Sequence, residues 1–497
     1  MKKINNICIV GGGSAGWMTA GLLIRNLPSF IKVTLVESPN IPTVGVGEAT
    51  LVSFRNFMND CGFDEDKWID EVDGLYKCGI KFIDWIEKGH IIWHPFTSLA
   101  QPTHDLTSAH LYKNSINNNF EEFSKYCIPN YTSTVEHEKI DESNVGYHVD
   151  AAKLARFFIN NNESVNHVLA HVEKVNTENN QISSIVLDNG NIIEADIFVD
   201  CTGFKNLVSS NIDGAKWVNK SEYLGANAAV AAPVKYDDPS IEMKPFTTAK
   251  CLDIGWMWIT PVQSRIGSGI VFNKDITPVE EAMETYDSIW NKDRRLKDFN
   301  VISFEPKYNK RSWRSNVVSI GLSSGFVEPL ESSGLEFIIQ GASVLLSRIR
   351  KGYFIESDAD FYNARMSFQY EETFNFIQLH YLNSKRESKY WDFIRNKPIQ
   401  NELLQKIEYY KDHGLQFREM PGDSIFAHHS WIILMEGAGI DGGFSSYIPK
   451  ESAIELLNDR YRLHEMQTHQ NRFTNFEVMN RRKAVNNFKG LIENGRQ

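Results

Sequence analysis

Cysteine is scarce in this 497-residue chain. The six present, Cys8, Cys61, Cys78, Cys127, Cys201 and Cys251, include no C-x-x-C pair. That argues against a zinc ribbon or a disulfide framework, and reduced thiols fit a cytoplasmic protein. No metal site is expected. The chain also lacks any apolar run of the length that a membrane span requires. Its start, MKKINNICIVGGG, has a signal-like look, but the apolar stretch is short and glycines interrupt it, so it reads as a first strand. Basic runs are missing too: 52 Lys and Arg against 63 Asp and Glu give a net charge of -11, which speaks against nucleic acid as a partner. There is no internal repeat, low-complexity tract or obvious linker. What remains is 42% hydrophobic and 12% aromatic, a globular composition.

The first elements are the most specific. A short apolar run, Ile7 to Val10, enters GGGSAGWMTAGLLIRNL, and a second strand, KVTLVE, ends at Glu37. This is strand, tight turn, helix, strand, with G-x-G-x-x-G at Gly11, Gly13 and Gly16. An acid about twenty residues later is placed to meet a ribose hydroxyl. The first glycine permits the turn, the second lets a pyrophosphate approach, and the third lets helix pack on strand. The helix N-terminus then faces the phosphates. A glycine-rich turn without a ligand is the plainer alternative. Two later stretches, IEADIFVDCTGFKNLV and NVVSIGLSSGFVEPL, read as strands returning to this unit from far along the chain. That layout favours FAD over a sequential NAD domain. Residues 165 to 195 suggest a small hairpin layer, residues 222 to 273 are strand-rich, and EFIIQGASVLLSRIR has helical spacing. The C-terminal third reads as helical and aromatic. The expected architecture is α/β, with a dinucleotide module over 1–80, 148–215 and 300–350. It interweaves with a sheet-plus-helix substrate module over 81–147, 216–299 and 351–497.

Three stretches are candidates for chemistry. In GFVEPLESSGLEFII, Ser333 to Glu336 matches the capping box S-x-x-E, which predicts a helix starting near Gly334. Its unpaired amides could hold a small anion, with Glu331 just upstream as acid or acceptor. Ordinary capping is the bland reading. In GLYKCGIKFIDW, alternation predicts one strand with Lys77 and Lys81 on one face. A lysine among apolar neighbours loses solvation and its pKa falls, whereas a snorkelling lysine keeps its ammonium in water. In GWMWITP, Trp256 and Trp258 stand two apart on a strand and point the same way, as an aromatic wall or as core filling.

Taken together these stretches resemble the flavin-dependent halogenases of the tryptophan-halogenase family. The match rests on GGGSAG, on W-x-W-x-I-P as WMWITP, and on F-x-x-P-x-x-S-x-G at Phe326, Pro329, Ser332 and Gly334. GVGEAT and DCTG also match, and the resemblance covers roughly residues 5 to 395. It implies an FAD-binding fold of the glutathione-reductase and hydroxybenzoate-hydroxylase kind. Flavin contacts would come from Gly11, Gly13, Ser14, Ala15, Gly16, Glu37, Glu48, Ala49, Gly203 and Gly321. It implies that FADH2, supplied by a separate NAD(P)H flavin reductase, reacts with O2. A halide (chloride, bromide or iodide) held near Ser333 and Gly334 is then oxidised to hypohalous acid. Lys77 receives that acid through a tunnel, and Glu331 orients the electrophile or takes the arene proton. Trp256 and Trp258 keep the organic substrate from the flavin, while His94, Pro95 and Phe96 pack beside a small aromatic. A homodimer is left open.

Two departures from the family pattern bear on this reading. Thr260 stands where the motif has Ile. The segment from Gly414 to Ile440 lacks the Tyr-Tyr pair with which the family's free-tryptophan enzymes grip an amino acid, so an indole- or phenol-like substrate other than free tryptophan is expected. The nearest rival is an aromatic hydroxylase of the same fold, which would turn over without halide. An FAD-dependent reductase of prenyl chains and a flavin-binding protein without catalysis are the others.

Overall fold

The computed structural model describes residues 2–41, 48–96, 145–413, 421–440 and 442. The run NICIV at Asn6–Val10 is buried from Ile7 onward, as expected of a strand covered on both faces. It sits inside a sheet whose order, among the described residues, is Trp313–Arg314, Val317–Ser319, Ile197–Asp200, Asn6–Val10, Lys32–Glu37, Asn166–Leu169. Every pairing is parallel except the edge strand Trp313–Arg314. Strands from residues 197 and 317 therefore flank the first strand on one side, as the apolar returns predict. The helix Ser14–Asn26 covers this sheet and packs against the helices Ala151–Asn161 and Ser333–Ile349.

A second, mainly antiparallel sheet runs Asn300–Ser303, Ala228–Ala231, Arg265–Phe272, Gly255–Val262, Thr247–Leu252, Gly79–Ile83, Ile91–Pro95. A small third sheet runs Glu48–Ala49, Gly146–Val149, Leu75–Lys77. Its register sets Lys77 opposite Gly146 and Leu75 opposite His148. Gly146 is needed there, because a Cβ would crowd Thr50 O at 2.6 Å and the Phe96 ring at 3.0 Å. A 26-residue helix, Glu356–Tyr381, is buried along its last three turns.

Two local expectations fail. Leu75 to Ile83 is not one strand. Cys78 breaks it, its N–H donating to Pro245 O while its carbonyl accepts from Phe96 N. The halves join different sheets. Lys77 is fully buried, whereas Lys81 is half-buried with its ammonium 5.0 Å from the Trp93 ring centroid. The two lysines share no face. The capping box is also absent. The helix does begin at Ser333, but its N-cap is Ser332 in the left-handed region (φ 60°), with no side-chain cap. The Glu336 carboxylate is buried and instead accepts from Ser53 and from Gln340 at 2.6 Å. Among the described residues no side-chain cap holds the first amides of this helix.

Candidate active site

Lys77 ends its strand wholly enclosed, a costly place for an ammonium. Its Nζ donates to Ser332 Oγ at 2.8 Å and to Thr50 O at 3.2 Å, and lies 4.8 Å from the centroid of the Phe96 ring. Burial pushes the amine down from 10.5 to about 7, with the charge of Glu331 opposing. Ser332 is the residue after Glu331, so Lys77 is hydrogen-bonded to the chain immediately beside that carboxylate. The positive φ at Ser332, uncommon for a residue with a Cβ, turns the chain so that Glu331 and the helix start face the same interior.

Glu331 closes a single turn, Pro329–Glu331, and is also fully buried. Oε2 accepts from His94 Nδ1 at 2.8 Å and Oε1 lies 2.6 Å from His380 Nε2. Burial alone would raise this carboxyl. The two imidazoles outweigh it and hold the group at about 2. His380 Nδ1 is 2.8 Å from the Phe376 carbonyl, an acceptor only, so that nitrogen carries a proton. Phe426 stacks on Phe376 at 3.9 Å, and Trp431 meets Phe376 edge-on at 4.8 Å, so the segment after residue 421 covers this interior.

Trp256 and Trp258 do point to one side of their strand. Their ring centroids are 6.3 Å apart and edge-on, and both are buried. Gly269 pairs with Trp258 across the sheet, and a Cβ there would overlap its indole. The Thr260 side chain is buried without disturbing the pairing with Gly267. His94 lies on the edge strand Ile91–Pro95, which Pro95 closes, and Phe96 follows with its ring 6.1 Å from that of His94.

The nucleotide loop fits a long dinucleotide. A Cβ on Gly11 would overlap the Cys201 carbonyl and one on Gly16 the Gly11 carbonyl, whereas one on Gly13 would meet nothing within 4 Å. The helix Ser14–Asn26 has no side-chain cap and no acid in its first turn, so the amides at Ser14 and Ala15 are left for an anion. Glu37 accepts from Trp17 Nε1 at 3.2 Å and His167 Nε2 at 3.0 Å. The Asp200 carboxylate ties down the turn at Gly203 through Thr202, Val208 and Ser209. Gly321 has φ +71°, with room beside Ala15 for backbone alone. Glu48 and Ala49 pair with Val149 and His148, on the sheet that carries Lys77. Residues 42–47, which include the start of GVGEAT, lie outside the described residues.

The model of the tryptophan halogenase family matches residues 6–447. The chain belongs to that family. It is 31% identical over 437 residues to a tryptophan 6-halogenase, ThaL, of Streptomyces albogriseolus, covering 82% of each chain. It is equally identical, over 435 residues and 82% of each, to a tryptophan 7-halogenase, RebH, of Lentzea aerocolonigenes. The solved structure of Xcc4156, a flavin-dependent halogenase of Xanthomonas campestris, superposes with a TM-score of 0.86 at 27% identity, covering 96% of this chain and 98% of that one. This halogenase is therefore a flavin-dependent enzyme, and the Gly13 cradle is suited to FAD. The two curated relatives differ in ring position at the same identity, so overall likeness carries no choice of position.

The sequence singled out Lys77, Glu331, His94 and Phe96. It missed His380, Thr50 and Phe426. His380 lies 49 residues beyond Glu331 in mid-helix, and no motif marks it. Among the described residues no three His, Cys, Asp or Glu are placed to hold a metal ion, and no helix is long and apolar enough to cross a membrane.

Proposed function

We propose that this halogenase installs chlorine, bromine or iodine on an electron-rich indole- or phenol-like arene rather than on free tryptophan. Reduced FAD, delivered by a separate NAD(P)H flavin reductase, supplies with O2 the oxidising equivalent that converts halide to hypohalous acid. Gly11, Gly13, Ser14, Ala15 and Gly16 hold the cofactor's phosphates, with Glu37 at the ribose. Glu48, Ala49, Gly203 and Gly321 line its extended path. The uncapped amides of Ser333 and Gly334 hold the halide, and a Cβ on Gly334 would meet nothing within 4 Å. Trp256 and Trp258 fill the space between cofactor and arene, which disfavours direct hydroxylation. Hypohalous acid crosses the interior to Lys77, and His94 and Phe96 pack beside the ring. Glu331 takes the proton that the arene loses when halogen replaces hydrogen.

The observation that carries this reading is the enclosed Lys77 amine, hydrogen-bonded to Ser332, the residue beside Glu331. A buried amine without a carboxylate in hydrogen-bond reach has no evident structural use. The test incubates a panel of indoles and phenols with FAD, NADH, a flavin reductase and each halide, read by mass spectrometry. Halogenated product from wild type, and only hypohalous acid from Lys77→Ala, is expected. Oxygenated product formed equally well without halide would establish the hydroxylase instead.

A further inference from the structure

Adjacent residues of one helix hold two glutamates of the motif loop. His380 takes Glu331, and the hydroxyl of Tyr381 donates to Oε1 of Glu328. Glu328 and Glu331 bracket Pro329 and Leu330, so the end of the helix Glu356–Tyr381 grips both ends of a single turn. Both carboxyls are buried, but their surroundings differ. Glu331 has two imidazoles. Glu328 meets only neutral groups: the Tyr381 hydroxyl, the Trp256 indole of the strand Gly255–Val262, and the Tyr390 phenol of the helix Lys389–Arg395. The Cys251 thiol lies beyond, against Tyr390. Among the described residues no cation acts on Glu328. Burial pushes its carboxyl up to about 7, and Tyr381 and Trp256 offset only part of that. Oε2 of Glu328, Trp256 Nε1 and the Tyr390 hydroxyl are three buried polar atoms outside hydrogen-bond geometry. The indole is nonetheless close enough to favour the ionised carboxyl.

We propose that Glu328 is a positioning residue for halogenation: on losing its proton it draws the Trp256 N–H into a charge-assisted hydrogen bond and, through Tyr381, locks the two-tryptophan strand to the loop that carries Glu331. This rests on the reading that Glu331 acts on the arene. A neutral carboxyl offers the indole N–H a weaker acceptor than an ionised one. An ionised one has a donor from the helix and a donor from the strand, and such bonds are roughly twice as strong as neutral ones. The clasp is closed on the alkaline side of neutrality and open on the acid side.

The deciding experiment needs neither flavin nor halide. Tryptophan fluorescence of the full-length chain is followed from pH 5.5 to 9. Wild type is expected to show a transition near neutrality that Glu328→Gln and Trp256→Phe both lack. Tyr381→Phe moves it to higher pH, because the charged form loses a donor. Lys77→Met, which removes another buried group whose amine is pushed down to about 7, leaves it in place. Glutamine keeps the shape and an oxygen that accepts from the Tyr381 hydroxyl, so a folded variant is expected. Should it not fold, the direction of the Tyr381→Phe shift decides. A transition that persists in Glu328→Gln, is missing from wild type, or stays put in Tyr381→Phe overturns the proposal. A second arm measures turnover with an indole: wild-type kcat falls about fivefold from pH 7 to pH 6 as one group protonates, Glu328→Gln flattens that limb, and KM changes less than twofold. If no arene is halogenated while the fluorescence transition behaves as stated, the clasp stands and the catalytic reading fails.

Discussion

Replacing Lys77 by methionine should make the protein more stable while ending halogenation. An amine whose proton affinity falls from 10.5 to about 7 on burial costs the folded state about 4 kcal/mol at pH 7, at 1.36 kcal/mol per pH unit. Methionine has a similar length and no charge to desolvate. It leaves Ser332 Oγ and Thr50 O without their donor, a loss of about 1–3 kcal/mol, so the net gain is about 2 kcal/mol. For a chain of 497 residues that corresponds to about 2 °C in melting temperature. The pH dependence is the sharper test. The folded state binds fewer protons here than the unfolded state, so wild-type stability rises with pH between about 7 and 10.5. The advantage of Lys77→Met should therefore be about 3 kcal/mol smaller at pH 9.5 than at pH 6.5. Melts of both proteins at the two pH values, with product formation followed in parallel, check this. A stability difference that is the same at both pH values would mean that the amine is solvated and that the enclosed-lysine argument is wrong.

Other outcomes follow from the same geometry. Glu331→Gln should lower arene halogenation strongly and leave FAD titration unchanged; equal turnover would remove Glu331 from the chemistry. The carboxylate of Glu331 is held at about 2, so its contribution to stability is present above about 4.5 and lost as pH falls through 2; acid melts of Glu331→Gln should show a shallower loss. Glu328 has the opposite sign. With its carboxyl raised to about 7, wild-type stability falls as pH rises from 4.5 through 7, and Glu328→Gln should gain most above pH 8. Gly13→Ala should melt like wild type, since nothing of the protein lies within 4 Å of the new methyl. Its FAD affinity should fall at least tenfold by fluorescence titration. Gly16→Ala, whose methyl overlaps the Gly11 carbonyl, should lose folding stability as well.

Local steric and hydrogen-bonding rules explain what could be read from the chain alone. Gly11, Gly13 and Gly16 announce a nucleotide turn because each solves a separate backbone problem within a few residues. Ile7 to Val10 announces a buried strand because a parallel strand covered on both faces must be apolar throughout. Trp256 and Trp258 share a side because a strand alternates. The motif residues Lys77 and Glu331 could be named, but not their surroundings. Whether Lys77 shares a face with Lys81 depended on a break at Cys78, and that break is made by Pro245 and Phe96, residues the pattern of alternation does not contain. The capping box failed because Glu336 found Ser53, 283 positions away.

The sequence by itself determined the dinucleotide turn, the family and the two candidate catalytic side chains, since these rest on short-range spacing. Only the tertiary structure decided the charges in the interior. His94, His380 and Tyr381 reach Glu331 and Glu328 from an edge strand and a distant helix. A carboxyl's proton affinity is set by whatever donors packing brings within a few ångströms, and linear order does not encode that.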